Sequence, residues 1–331
     1  MSSGSLGGSE AMTVPSPPRW QAPQAINRVE WTALPHKIRI AIEDQLGSPV
    51  VAAKTQHGGF SPGAATIVHC ADNSDYFVKA VNPDLNPLSP QLYRDEALFS
   101  AALPKGMPVP RLRHVYDDGD WIALVFDAIH GRMPELPWAA ADVQRLMATI
   151  QTLGTTPLAG DLTRLPSVPD RLAHSFGAYR RLAKTPQSLT AWERGNIDRL
   201  VVAAESALEP MAGDSLVHLD LRADNIVLAH DGSPYIVDWS WASSGAPWLD
   251  KVCFLVNVAT YRGDAERFLR DDQLLASVPS DHVTAFLIGL CGMWTEAVAA
   301  PAPPGLPALR AFQRLERDAT LAWIRSRTAW G

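Results

Sequence analysis

Val217-His218-Leu219-Asp220-Leu221-Arg222-Ala223-Asp224-Asn225, followed thirteen residues later by Asp238, is the stretch whose reading decides the fold. Between Asn225 and Asp238 lie two short apolar runs, 226–228 and 235–237, on either side of His230-Asp231-Gly232-Ser233, the pattern of a β-hairpin with a tight turn. A hairpin brings its two ends together. A carboxylate on the preceding loop (Asp220), an amide where the first strand starts (Asn225) and a carboxylate where the second strand ends (Asp238) can therefore converge on one point. Isolated Asp and Asn usually cap turns, but three oxygen-bearing side chains spaced around one hairpin suit a hard divalent ion. Magnesium takes oxygen ligands and keeps water and phosphates in its shell. Asn225 and Asp238 are the candidate metal ligands, and Asp220 is left to orient a hydroxyl.

Upstream, Ile38, Ile42 and Leu46 lie four apart and are closed by Gly47, which predicts a short amphipathic helix. Five β-rich runs follow, at 50–55, 65–70, 76–81, 111–116 and 121–126, interrupted once by a helix-compatible segment, 91–103. These make a small α+β unit over residues 48–130. Lys79 sits in the apolar run Tyr76 to Val81, where an ammonium needs a partner or an edge. Glu96 on the following helix can supply that partner, and the adjacent Asp95 is the alternative. Gly58-Gly59-Phe60-Ser61-Pro62-Gly63, between the first two strands, can let backbone amides approach a phosphate, with Ser61 as a further donor. Beyond Gly131 the pattern turns helical, with Val143, Leu146, Met147 and Ile150 on one face and a capping box at Thr190 to Glu193.

The His-x-Asp-x-x-x-x-Asn spacing with a later Asp followed by Trp resembles the aminoglycoside phosphotransferase family, whose members are protein-kinase-like kinases of antibiotics, choline and sugars. The resemblance implies a two-lobed α+β fold with a five-stranded N-lobe sheet and a mostly helical C-lobe. The Ser-, Gly- and Pro-rich start reads as a disordered tail at 1–28, and the resemblance implies a nucleotide-binding lobe at 29–130 and a catalytic, substrate-binding lobe at 131–331. It also implies that Asp220 is the catalytic base, that Asn225 and Asp238 hold Mg²⁺, that Lys79 pairs with Glu96 and with the phosphates of ATP or GTP, and that His218 braces the loop. Gly59 and Ser61 would face the phosphates, and Phe126 and Ile129 would form the hinge against the base. Leu219 stands where the family commonly has Gly, and Arg222 where aminoglycoside kinases often have His; a cation there can balance γ-phosphate charge. Asp250 would support the loop, or simply sit at a helix N-terminus.

Composition narrows the alternatives. Among 331 residues, 29 Lys and Arg face 35 Asp and Glu, so the net charge of -6 gives no case for binding nucleic acid or an anionic membrane. Cys70, Cys253 and Cys291 are few and far apart, which fits a reducing cytoplasm. The uncharged run 283–295 falls short of the ~20 residues of a membrane span and reads as a buried helix. The segment 260–331 holds eight basic and eight acidic residues, so a polycationic acceptor is not favoured over a neutral one. Trp239, Trp241, Trp248, Tyr261 and Trp294 suggest an aromatic-lined pocket, and Leu309, Phe312, Leu315, Ala319 and Trp323 a packing helix. The expected activity is phosphorylation of an aminoglycoside, nucleoside or macrolide, with antibiotic resistance as its setting. The alternatives are a choline- or sugar-type metabolite kinase and a nucleotide-binding pseudokinase scaffold. A protein kinase is disfavoured, because nine residues from Asp238 to Pro247 leave no room for an activation loop.

Overall fold

The computed structural model describes residues 28–330, so the expected tail lies outside the described residues except for Arg28. Helix α1 (His36–Leu46) precedes strands β1 (Val50–Thr55), β2 (Ala64–Cys70) and β3 (Asp75–Val81), helix α2 (Ser89–Ala102), and strands β4 (Leu112–Asp117) and β5 (Ile122–Asp127). The strands form one antiparallel sheet in the order β1-β2-β3-β5-β4. Successive side chains of a strand point to opposite faces, and both faces of β3 and β5 are covered. Val78, Ala80, Ala123 and Val125 pack with Ile38 and Ile42 of α1, while Val81, Ile122, Leu124 and Phe126 pack with Tyr93 of α2. That is why these strands read as continuous apolar runs. Lys79 shares the α2 face, so its ammonium is directed into the protein rather than to an edge.

The second lobe is mostly helical. It contains α3 (Ala140–Gly154), α4 (Val168–Phe176), α5 (Ala178–Leu182), α6 (Ala191–Gly195), α7 (Ile197–Ser206), α8 (Leu249–Thr260), α9 (Ala265–Asp271), α10 (Gln273–Ser277), α11 (Ser280–Ala299) and α12 (Leu309–Arg327). The capping box at Thr190 and Glu193 is formed, but the helix breaks at Asn196 rather than running on. The hairpin strands are Ile226–Ala229 and Pro234–Ile236, with Gly232 at φ 82° in the turn. The first of them also pairs with a two-residue strand, Gly131–Arg132, just after β5. A Cβ at Gly131 would lie 2.2 Å from the Leu228 carbonyl oxygen, so only glycine permits this approach. The segment after β5 is thereby stitched to the hairpin.

Helix α11 is long and apolar enough to span a bilayer, yet it is the central core helix: Phe286, Leu287, Ile288 and Cys291 are buried. Two expectations are corrected. The inward stripe of α12 runs through Phe312, Glu316, Thr320, Trp323 and Ile324, while Leu315 is exposed; an i, i+4 step from Phe312 places a carboxylate inside. Trp248 and Trp294 are core residues, Trp248 lying edge-on to Phe286, and neither lines the cleft between the sheet and the hairpin.

Gly289 fits against Phe176, with a Cβ there only 2.2 Å from the ring. Gly289→Ala is expected to cost about 1–3 kcal/mol of stability by overpacking, read as a lowered urea midpoint with an unchanged slope.

Candidate active site

A cleft of about 1300 Å³ opens between the sheet and the hairpin. Gly59, Ser61, Lys79, Glu96, Phe126, Ile129, Asn225 and Asp238 all line it. Asp220 and Arg222 stand immediately behind Asn225.

Lys79 is the hub of the first lobe's contribution. Its Nζ donates to Glu96 Oε2 at 2.6 Å, lies 3.4 Å from Asp238 Oδ1 and rests over the Tyr93 ring. Glu96 is buried and bonds Lys79, whereas Asp95 accepts from Gln91 at the surface, so the choice between the two falls to Glu96. Burial alone would lower the Lys79 pKa, but Asp238 and Glu96 outweigh it and hold the ammonium charged. Burial would likewise raise Asp238, and Lys79 leads the neighbours that keep it below the usual carboxylate range.

The loop from His218 to Asn225 is held from behind. His218 is fully buried; its Nε2 donates to the Val237 carbonyl at 3.0 Å and its Nδ1 accepts from Asp220 N at 3.2 Å. That pairing requires the neutral imidazole, and burial lowers its pKa accordingly. Asp250, at the start of α8, accepts from the backbone N–H of His218 (2.7 Å) and of Leu219 (2.9 Å). It therefore grips the loop, which decides between its two sequence readings. Leu219 has φ 65°, a left-handed conformation that glycine adopts without strain, which gives a physical meaning to the common Gly at that position.

Asn225 Nδ2 donates to the Asp220 carbonyl (2.8 Å) and to its Oδ2 (3.0 Å), which locks the carboxylate. Among the described residues no donor reaches Asn225 Oδ1. Val237 N donates to Asn225 O at 3.0 Å, so Asp238 comes next to Asn225 across the hairpin. Asp238 has φ 66°, and its carboxylate is one-third exposed to the cleft. A free amide oxygen and a carboxylate are a hard donor set, and these residues fit a magnesium ion.

Arg222 donates to Asp220 and makes a two-pronged pair with Asp224, both bonds at 3.0 Å. Phe60 from the glycine-rich turn and Phe312 from α12 cover it, each ring 5.4 Å away. In this state the guanidinium is thus engaged by carboxylates. Ser61 Oγ is 2.6 Å from the Tyr93 hydroxyl.

Sequence reasoning did not find Arg28, Tyr93, Asp224 or Glu316. Tyr93 is one helical turn before Glu96 and Asp224 two residues after Arg222, so spacing alone could have found them. Glu316 lies in a helix that reads as packing, and burial pushes its carboxyl up to about 8 against the pull of Arg222.

A sequence profile of the Phosphotransferase enzyme family matches residues 60–282, well over half of the chain. Choline kinase LicA from Streptococcus pneumoniae superposes with a TM-score of 0.58 at 16% identity, covering 86% of this chain and 98% of its own. The GDP and kanamycin complex of APH(2")-IIia gives 0.56 at 15% identity over 88% and 98%. An aminoglycoside phosphotransferase from Alicyclobacillus acidocaldarius gives 0.52 at 16% identity over 85% and 94%. These likenesses establish the fold, a two-lobed protein-kinase-like one. No curated protein matches the chain in sequence.

Asp250→Asn turns one acceptor oxygen into a donor facing a backbone N–H. It is expected to cost about 1–3 kcal/mol of stability by leaving buried donors unpaired, measured by urea denaturation.

Proposed function

The chain belongs to the phosphotransferase enzyme family, and from that premise we propose that it moves the γ-phosphate of ATP or GTP onto a hydroxyl of a small acceptor. The observation that carries this reading is the convergence of Lys79, Glu96 and Asp238 from one side, and Asn225 with its bonded Asp220 from the other, on a single cleft. Aligned groups and charge compensation are what phosphoryl transfer asks of a protein, since the chemistry needs little covalent participation.

In the proposed reaction the nucleotide's base lies against Phe126 and Ile129, and Lys79 anchors the phosphates near Gly59 and Ser61. Asn225 and Asp238 would hold magnesium, which neutralises phosphate charge when bound. Asp220, kept in one orientation by Asn225 and Arg222, accepts the hydroxyl proton as the acceptor oxygen forms its bond to phosphorus and the bond to the nucleoside diphosphate breaks. Burial raises the Asp220 pKa despite Arg222, as suits a carboxylate that must take up a proton. Arg222 acts here as a positioning residue, because its charge lies on Asp220 and Asp224. The acceptor class we favour is an antibiotic-like hydroxyl compound in the cytoplasm, and choline or a sugar is the metabolic counterpart.

The test is a mass-spectrometric screen for an added phosphoryl group across aminoglycosides, macrolides, nucleoside antibiotics, choline and sugars, with ATP or GTP as donor. Asp220→Asn is expected to lower turnover on the acceptor found by about a hundredfold or more while leaving nucleotide affinity nearly intact. Retention of most activity would overturn the role of Asp220.

A further inference from the structure

Arg28 is a half-buried cation that the roles above leave unused. It precedes β1 by more than twenty residues, yet its guanidinium reaches the glycine-rich turn, where Nη1 donates to the Ser61 carbonyl and Nη2 to the Gly58 carbonyl. Its position is anchored. Three residues on, Trp31 is buried, Leu34 follows it into the α1 face of the sheet, and Glu30 bonds Thr55 of β1.

Two carbonyl oxygens hold the guanidinium in place without neutralising it. Among the described residues, no carboxylate pairs with it and its Nε, shielded from solvent, has no hydrogen-bond partner. A lone charge withdrawn from water is costly unless an anion is supplied, and burial here depresses the guanidinium pKa. Besides the Tyr93 hydroxyl, the groups whose field acts on it are the carboxylates of Asp238 and Asp224, which line the same cleft. The turn it grips adds to the picture. Among the described residues, the backbone amides of 57–61 donate no hydrogen bond to the backbone, so the turn presents free N–H groups beside an uncompensated cation. An anion with several oxygens, placed between this turn and Lys79, would satisfy all of them.

We propose that Arg28 is a phosphate-contacting residue of the donor site, reaching in from the segment ahead of the sheet to bind the polyphosphate of the nucleotide while holding the glycine-rich turn over it. The proposal rests on the kinase reading, since it requires a nucleoside triphosphate in the cleft. It differs from a merely structural tie in one respect: the charge matters, and it matters in proportion to the phosphates present.

The experiment measures binding of ATP, AMP and adenosine, by calorimetry with magnesium, to the full chain and to Arg28→Gln and Arg28→Lys. Losing a charge-assisted contact is expected to weaken ATP by about ten- to a hundredfold in R28Q, with adenosine unchanged, AMP intermediate and R28K close to the native chain. Lysine keeps the charge but cannot hold both carbonyls. Equal loss in R28K and R28Q would therefore make Arg28 a turn fastener and overturn the proposal, as would unchanged ATP binding in both. A parallel loss of adenosine would mean a collapsed cleft and would overturn it as well. If the native chain binds neither ATP nor GTP, the kinase reading fails first and takes this inference with it; native binding combined with an indifferent R28Q sinks the inference alone.

Discussion

A buried ammonium that must be neutralised organises this molecule. Lys79 is taken out of water by its place on the α2 face of the sheet, and the two carboxylates that compensate it come from different parts of the chain: Glu96 from α2 and Asp238 from the end of the hairpin. One cation thus registers the sheet, the helix beneath it and the second lobe against one another. Breaking such a pair leaves an uncompensated charge, which is far more costly than never having buried it. The arrangement suits a site that receives a polyanion, because Lys79 is already held charged and pointed into the cleft.

The second constraint is backbone strain, and it too is shared between distant segments. Leu219 and Asp238 both adopt left-handed conformations that L-residues avoid. Neither is sustained locally. Asp250 of α8 fixes the amides around Leu219, His218 joins that loop to the Val237 carbonyl just before Asp238, and Val237 N bonds Asn225. The oxygen atoms that face the cleft are therefore aimed by a closed ring of hydrogen bonds, and the neutral imidazole is the link that lets the two strained residues support each other. Strain of this kind persists where the surroundings over-determine it.

How much of this was legible depended on the kind of signal each residue carries. The sheet could be read because its strands are β-rich runs punctuated by turns, and their ends fell within a residue or so of expectation. Lys79 stood out as a charge in an apolar run, and Asp220, Asn225 and Asp238 because a hairpin makes sequence separation into proximity. Glu96 against Asp95 was undecidable, since adjacent positions on a helix differ by a rotation that only packing fixes. Arg28 carried no signal: a lone arginine before the first strand has no periodicity and no partner within reach along the chain. Glu316 was concealed by the assumption that a helix buries its apolar residues, whereas α12 leaves Leu315 exposed and directs a carboxylate inward. The link between Gly131 and Leu228 was missed because two residues are too few to read as a strand.

The two ends of the cleft differ in charge, and that difference bears on the proposed direction of transfer. At the turn end, Lys79 is compensated by Glu96 and Asp238, while Arg28 has no carboxylate partner among the described residues. At the loop end, Arg222 is shared by Asp220 and Asp224, and burial keeps Glu316 close to its protonated form at neutral pH. At the loop end, then, two carboxylates share one guanidinium. On the proposed function, the unpaired guanidinium of Arg28 favours an anion at the turn end, whereas the two carboxylates sharing Arg222 do not favour one at the loop end. On the proposed function, an acceptor reaching Asp220 would meet two carboxylates sharing one guanidinium rather than a polyanionic cluster, as would suit a neutral or singly charged hydroxyl compound. Regional charge counts could not have shown this, because the balance is struck among four side chains drawn from two segments about ninety residues apart.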